Sequence, residues 1–271
     1  MSKIIIESRQ RKNPLNLHEL FAYKDLFITL ALRDFKVRYA QTFLGLFWAI
    51  IQPLITLLIL ILIFNKVIGI KTDPVPYPLF ALAGICSWNY FSFVATQVGS
   101  SLIGAQNMIH KIYFPRLIVP LSKASVGLLD FAMMIVLVFA MMIYYGIKPG
   151  LHIIWFPFFI LLSVISAIAA GIWLSALTVR FRDFQIIIPY MIQAGMYITP
   201  VAYPIQLIPP EYKILFYLNP MTSIVQGFRW SLLGLDKPDL YSLLSFILVI
   251  ILFISGLYYF KKTERIMADI L

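Results

Sequence analysis

The stretch Leu54-Ile55-Thr56-Leu57-Leu58-Ile59-Leu60-Ile61-Leu62-Ile63-Phe64 carries one hydroxyl and no charge among its side chains. It lies in an apolar segment from Phe43 to Asn65, long enough as a helix to cross a hydrocarbon layer about 30 Å thick. Each central Leu, Ile or Phe favours insertion by about 0.3–0.6 kcal/mol. The segment is therefore predicted to be a first transmembrane helix. The chain around it is 61% hydrophobic and 13% charged, against roughly 45–50% and about 25% in soluble domains. A soluble domain of this size has too little interior for that much apolar surface, so a bilayer must cover the excess.

The formal charge of +10 does not point to nucleic acid. A nucleic-acid binder gathers Lys and Arg on one face of a polar domain, whereas here they flank apolar runs. Cys86 is the only cysteine, which leaves no intrachain disulfide and no cysteine metal site. Lys3, Arg9, Arg11 and Lys12 precede no apolar core with a small-residue cleavage site, so no removable leader is expected.

Further spans are predicted at Tyr77 to Gly99, Val126 to Tyr145, Trp155 to Thr178 and Tyr241 to Phe260. The second of the six is less oily, and Trp88, Asn89, Tyr90 and Gln97 imply a face turned to protein or water. The fifth, Ile186 to Pro200, holds Pro189 and Gly195 and reaches only about 22 Å at 1.5 Å per residue, too short for an ordinary lipid-facing span. Beyond it, Pro204, Pro209, Pro210 and Pro220 separate apolar pieces too short to cross, tolerable at membrane depth only when buried in protein or lining a cavity. Asn219 as N-cap, Pro220 in the first turn and Gly234 as stop predict one short helix from Pro220 to Leu233.

The fold class is thus an all-α integral membrane protein of about six transmembrane helices, with broken re-entrant helices between the fifth and sixth. The expected divisions are a 1–42 N-terminal segment, a 43–260 membrane domain and a 261–271 tail. With both termini in the cytoplasm, sixteen of the 22 Lys and Arg fall in inner connections, as the positive-inside rule requires. Lys66, Lys71, Lys148, Lys213, Arg229 and Lys237 are left to the outer ones.

Four segments carry candidate functions. Phe21, Ile28, Leu32, Phe35 and Tyr39 fall on one helical stripe, with Lys36 and Arg38 off its centre, which predicts an amphipathic helix at the membrane interface. It is either a topogenic anchor or a collar that offers Arg33, Lys36 and Arg38, beside Tyr39, to a phosphate-bearing lipid substrate. The loop Ser100 to Arg116 is predicted to hold two or three helical turns ended by Phe114-Pro115. It is either a solvated connector or a docking segment for a partner. Arg180-Phe181-Arg182-Asp183 is a tight inner turn, with Asp183 placed to cap the next helix and Arg180 and Arg182 free for topology, lipid or substrate access. The aromatics, at 15% of the chain, belong mostly to core and interfacial belts. The functional alternative is a sugar-stacking path of Trp48, Trp88, Tyr90, Phe91, Tyr190, Tyr197 and Tyr203.

The sequence has no Gly-x-x-x-x-Gly-Lys-[Ser/Thr] phosphate loop, so it does not bind ATP by that route. No Asp, Glu or His falls at the centre of a span; Asp130 lies near the inner end of the third. Ion-coupled carriers usually place ionisable groups or paired broken helices at the midplane. His18, His110 and His152 are scattered, which argues against a metal or catalytic cluster.

Four stretches, in order, carry a resemblance. They are Leu32 to Tyr39 followed by Leu44-Gly45 and Trp48 through Pro53; Asn107 through Arg116; Val179 through Asp183; and Thr199 through Pro204 with Asn219-Pro220. Together they resemble the permease subunits of polysaccharide-type ABC exporters, the group that covers O-antigen, capsule and teichoic-acid export. The resemblance spans roughly residues 20 to 265. It implies a homodimeric channel for a lipid-linked glycan, joined to two copies of a separate ATPase that binds the ATP and Mg, with no cofactor in this chain. It also implies coupling and a cytoplasmic gate at Asn107, His110, Lys111, Tyr113, Phe114, Pro115 and Arg116. An outer gate at Pro204, Pro209, Pro210, Asn219 and Pro220 follows in the same way. Two other classes stay open on sequence grounds: an intramembrane enzyme acting on a lipid-linked sugar, and a secondary lipid or oligosaccharide flippase.

Overall fold

The computed structural model describes residues 17–40, 42–264 and 267. Lys3, Arg9, Arg11, Lys12 and Arg265, counted above for topology, lie outside the described residues. Two helices come first, α1 (Leu17–Ala22) and α2 (Lys24–Tyr39). The chain then turns at Gly45, whose left-handed φ of +49° suits glycine, into the first span, Gly45–Val67. Its body is α3 (Trp48–Leu60), which widens into a π-helical turn over Ile61–Val67.

α4 (Tyr77–Gly99) is the axis of the molecule. Its mean hydropathy of 1.3 is the lowest of the five long spans, yet 72% of its apolar window is buried, against 22% for the first span. Ala81, Ala83, Gly84, Cys86 and Ser87 are buried along it, and such small side chains let neighbouring helices come close. α7 (Ile118–Tyr144), α8 (Phe156–Arg180) and α3 pack around it. Of the residues that implied an inward face, Trp88 and Tyr90 are buried and Asn89 is half-buried, while Gln97 is exposed. α7 begins before the expected Val126, because Pro120 is accepted in a first helical turn where its missing N–H costs nothing.

Between α4 and α7 lie two short helices, α5 (Ser101–Gly104) and α6 (Gln106–Lys111). α6 stops at Lys111, and Ile112 is already extended at φ −135° and ψ 145°, so the helix ends ahead of Phe114-Pro115. After α8 comes α9 (Phe184–Ile198), a 15-residue apolar helix. Asp183 occupies its N-cap position, but its side chain accepts no capping hydrogen bond. The expected cap is thus positional only.

The re-entrant region is α10 (Pro210–Tyr217) and α11 (Pro220–Leu233). α11 has the predicted ends: Asn219 accepts from the Met221 N–H at 3.0 Å, and Gly234 closes the helix at φ +67°. α11 is buried along nearly all its length and packs on α4, α8 and the last helix, α12 (Ser242–Glu264). Protein burial is what permits so short a helix at membrane depth. Contacts along the helices define two ends of the bundle. Lys123 of α7 meets α2 at one end, and Arg229 of α11 meets Phe80 of α4 at the other.

α2 packs through Leu26, Phe27, Leu30 and Tyr39, while Phe21 of α1 and Ile28 and Leu32 of α2, from the predicted interfacial stripe, are exposed. The ion pairs described below select the face that docks. One sequence expectation needs correction. Arg229, assigned to an outer connection, is 4% exposed inside α11. A guanidinium can be buried when backbone carbonyls take up its donors, and three do so here.

Candidate functional site

At the α2 end, charge pins the first helices to the bundle. Asp34 holds Lys123 of α7 at 3.1 Å and Arg33 at 2.9 Å. One turn on, Arg38 reaches Asp130 of α7 at 2.6 Å and lies over the Phe93 ring at 4.2 Å. The Tyr39 hydroxyl donates to the other oxygen of Asp130. Burial, then Asp130, pushes the Tyr39 phenol from 10.0 up to about 12. A raised phenol favours the fold below its ordinary value, and that contribution disappears only as pH climbs through about 12. Tyr39 therefore remains a donor throughout the range a cell offers.

Above these pairs, α3, α4 and α7 enclose a cavity of about 270 Å³. Arg38 and Asp130 form its charged wall, and Gln52, Thr56, Asn89 and Tyr90 line it. The Tyr90 hydroxyl is buried without a hydrogen-bond partner, while its ring stacks on Phe131 at 4.7 Å. A polar niche of this kind suits hydroxyl groups. Asp34 and Asp130 are both engaged by cations, and no group of three metal-ligating side chains is found among the described residues. Lys36, Arg180 and Arg182 are exposed, with Arg180 over the Phe181 ring at 5.4 Å.

The loop from Asn107 to Arg116 divides by burial. Phe114 is buried with Ile109 in an apolar cluster that includes Leu102, Leu117 and Phe260. The Arg116 N–H donates to the Glu264 carboxylate at 3.1 Å, and its guanidinium donates to the Glu264 carbonyl. Pro115 is half-buried between them. These three residues anchor the loop to α12. Asn107, His110, Lys111, Ile112 and Tyr113 face outward, Tyr113 at 82% exposure. A shallow cavity of about 220 Å³ runs from Ile109 to Arg116 beneath them.

The aromatic residues also separate. Trp88 and Tyr90 are buried at 4% and 3%, with Trp88 against Phe91 at 5.4 Å and beside Gly195 of α9. Tyr190 and Tyr197 stand out from α9 at 68% and 57%, and Trp48 is exposed at the start of α3. Tyr203 is half-buried, its hydroxyl donating to the Tyr197 and Ile198 carbonyls.

At the α11 end, side chains stitch the broken pieces together. The Asn219 amide donates to Thr199 at 2.7 Å and the Tyr217 hydroxyl to Gln226 at 2.9 Å. Pro209 and Pro210 begin α10, Pro220 begins α11, and Pro204 sets an extended turn before them. The feature sequence reasoning missed is Arg229. Its Nη1 donates to Pro200 O at 2.6 Å, Nη2 to Val201 O at 2.5 Å and Nε to Phe80 O at 3.2 Å. The guanidinium lies over the Phe80 ring at 3.5 Å. A Cβ on Gly84 would approach Nη2 to 2.8 Å, so glycine is what admits the arginine. The one available signal was an arginine inside an otherwise apolar capped helix, which implies buried acceptors.

A buried central helix ringed by long apolar helices, with one short apolar helix and re-entrant pieces, defines an all-α multi-pass membrane protein. The chain matches the ABC-2 type transporter family over residues 25–233, and it belongs to that family. It is 32% identical over 262 residues to the O-antigen export system permease protein RfbA of Klebsiella pneumoniae, covering 96% of this chain and 99% of the relative. RfbA of Myxococcus xanthus is 29% identical over 215 residues, with 79% and 82% covered. The polysialic acid transport protein KpsM of Escherichia coli is 23% identical over 207 residues, with 73% and 77% covered.

Proposed function

We propose that this chain is the membrane-spanning permease subunit of an ATP-binding-cassette exporter that moves a lipid-linked polysaccharide across the inner membrane. The near full-length similarity to O-antigen export permeases carries this reading. Two copies of the chain pair with two copies of a separate ATPase, which holds ATP and Mg. Both termini and the α2 end lie in the cytoplasm, and the α11 end faces outward.

In this arrangement the exposed row Asn107, His110, Lys111 and Tyr113 docks on the ATPase, while Phe114, Pro115 and Arg116 pass its movement to α12. Arg33, Lys36, Arg38 and Tyr39, with Arg180 and Arg182 across the inner turn, admit the phosphate-bearing lipid end. Arg38 and Tyr39 act chiefly by holding the helix in place, since both are committed to Asp130. The exposed rings of Tyr190 and Tyr197 offer stacking faces to passing sugars, and Trp48, Trp88, Tyr90, Phe91 and Tyr203 support that wall. The pieces begun by Pro204, Pro209, Pro210, Asn219 and Pro220 form the outer gate. The membrane domain spans 43–260, between an N-terminal segment of 1–42 and a 261–271 tail.

The test is co-purification. The tagged chain, co-expressed with an ABC ATPase subunit from the same organism, should retain that ATPase through detergent extraction and size exclusion. It should show ATP turnover only in the complex. Turnover by the chain alone, or glycan flipping in liposomes driven by an ion gradient without ATPase, would overturn the reading.

A further inference from the structure

A second cavity, of about 530 Å³, opens at the α11 end. That size is within the range of specific small-molecule sites. It is bounded by the loop after the first span, α4, the Pro204 turn, α10, α11 and the loop before α12. Lys71, Lys213, Arg229 and Lys237 bring four positive charges, and Asp73, Asp236 and Asp239 bring three negative ones.

Most of these groups are already committed. Arg229 is held by three carbonyls beneath the floor. Lys213 pairs with Asp239 at 3.7 Å, and Asp236 accepts from Gln206 at 2.5 Å. Lys71, Lys237 and Asp73 are exposed and make no ion pair among the described residues. The decisive residue is Gln226. It is 8% exposed and lines the cavity, and its Oε1 accepts from Tyr217, yet its Nε2 is buried with no partner. A buried amide N–H left unmatched is costly unless something completes it.

Two uncommitted cations, one uncommitted amide donor and one uncommitted carboxylate ask for a ligand with an acidic group flanked by hydroxyls. The acidic group answers Lys71 and Lys237, and a ring or hydroxyl oxygen answers Gln226. A hydroxyl donor answers Asp73. We propose that this cavity binds an acidic sugar unit, one bearing a carboxylate or phosphate, of the glycan delivered to the outer face. The proposal rests on the exporter reading for its source of sugar and its outward orientation. Such a site holds the emerging chain after it has passed the membrane and disfavours its return.

The test uses the full complex with its ATPase in nanodiscs of neutral lipid. Saturable binding of a hyaluronan tetrasaccharide, which alternates glucuronate with N-acetylglucosamine, is measured by saturation-transfer NMR and calorimetry beside neutral maltotetraose. The acidic tetrasaccharide should bind at least fivefold more tightly than the neutral one. Lys71→Ala/Lys237→Ala and, separately, Gln226→Leu should each weaken it at least fivefold. Lys148→Ala, a control on the same side but away from the cavity, should bind as wild type. The double lysine variant removes only exposed side chains, so it keeps the test valid if Gln226→Leu does not fold. Absent binding, equal binding of the neutral sugar, or a double variant that binds like wild type would overturn the proposal. If the wild-type complex exports glycan in any of those cases, the exporter reading survives and the cavity assignment alone falls. A wild-type complex that exports no glycan sinks the reading beneath both.

Discussion

Three backbone carbonyls converge on the guanidinium of Arg229, those of Pro200 and Val201 in the turn after α9 and that of Phe80 within α4. Phe80, Pro200 and Val201 belong to different segments, so this one residue ties α4 and the turn after α9 to α11. Removing a partner from a buried polar group costs about 1–3 kcal/mol for each group left unmatched. Arg229→Met should therefore lower thermal stability and yield of the extracted protein by several kcal/mol. Arg229→Lys, with three donors but no planar fork, should fall between it and wild type. A Met variant as stable as wild type would show that the carbonyls find other partners. Arg38 with Asp130 does a comparable job at the opposite end, where side chains 92 positions apart in sequence meet.

Among the elements, the segment around α6 makes the sharpest prediction, because anchored and outward residues alternate within ten positions. Lys111→Glu should leave folding intact and weaken assembly with the ATPase by about 1 kcal/mol, roughly fivefold in Kd. Arg116→Glu should instead destabilise the chain itself, since it removes the guanidinium's bond to the Glu264 carbonyl and sets a second carboxylate beside that of Glu264. A Lys111→Glu complex that assembles and exports normally would remove the docking role. The aromatics separate in the same way. Trp88→Ala and Tyr90→Ala empty a packed core and should cost about 3–5 kcal/mol. Tyr190→Ala and Tyr197→Ala should assemble normally, hydrolyse ATP at the basal rate and export glycan more slowly. Full export by both α9 variants would return those rings to a lipid-facing belt.

Elements with local signals were legible in the sequence. α4 runs over the predicted residues and α11 has its predicted cap and stop, since apolar length, Asn219, Pro220 and Gly234 are all readable from neighbouring positions. The docking face of α2 was not legible, because Asp34 and Arg38 choose it through partners on α7, far along the chain. Nor was the cavity at the α11 end, whose wall is assembled from six separate segments. Sequence spacing could place Arg229 on a helix but could not supply the carbonyls around it.

For the whole molecule, the five long helices place α4 at the axis, while α9 stays too short to cross unaided, about 22 Å against about 30 Å. A chain built in this way exposes Ile186, Ile187, Tyr190 and Met191 along α9. The direct measurement is transport in proteoliposomes holding the purified chain with its ATPase and a fluorescently labelled lipid-linked glycan. Delivery of glycan to the leaflet opposite the ATPase is read by protection from an added glycosidase. Delivery should require ATP, stop with vanadate and be absent when either subunit is omitted. Delivery without the ATPase, or an assembled complex that turns over ATP and moves no glycan, would contradict ATP-driven polysaccharide export by the assembled complex.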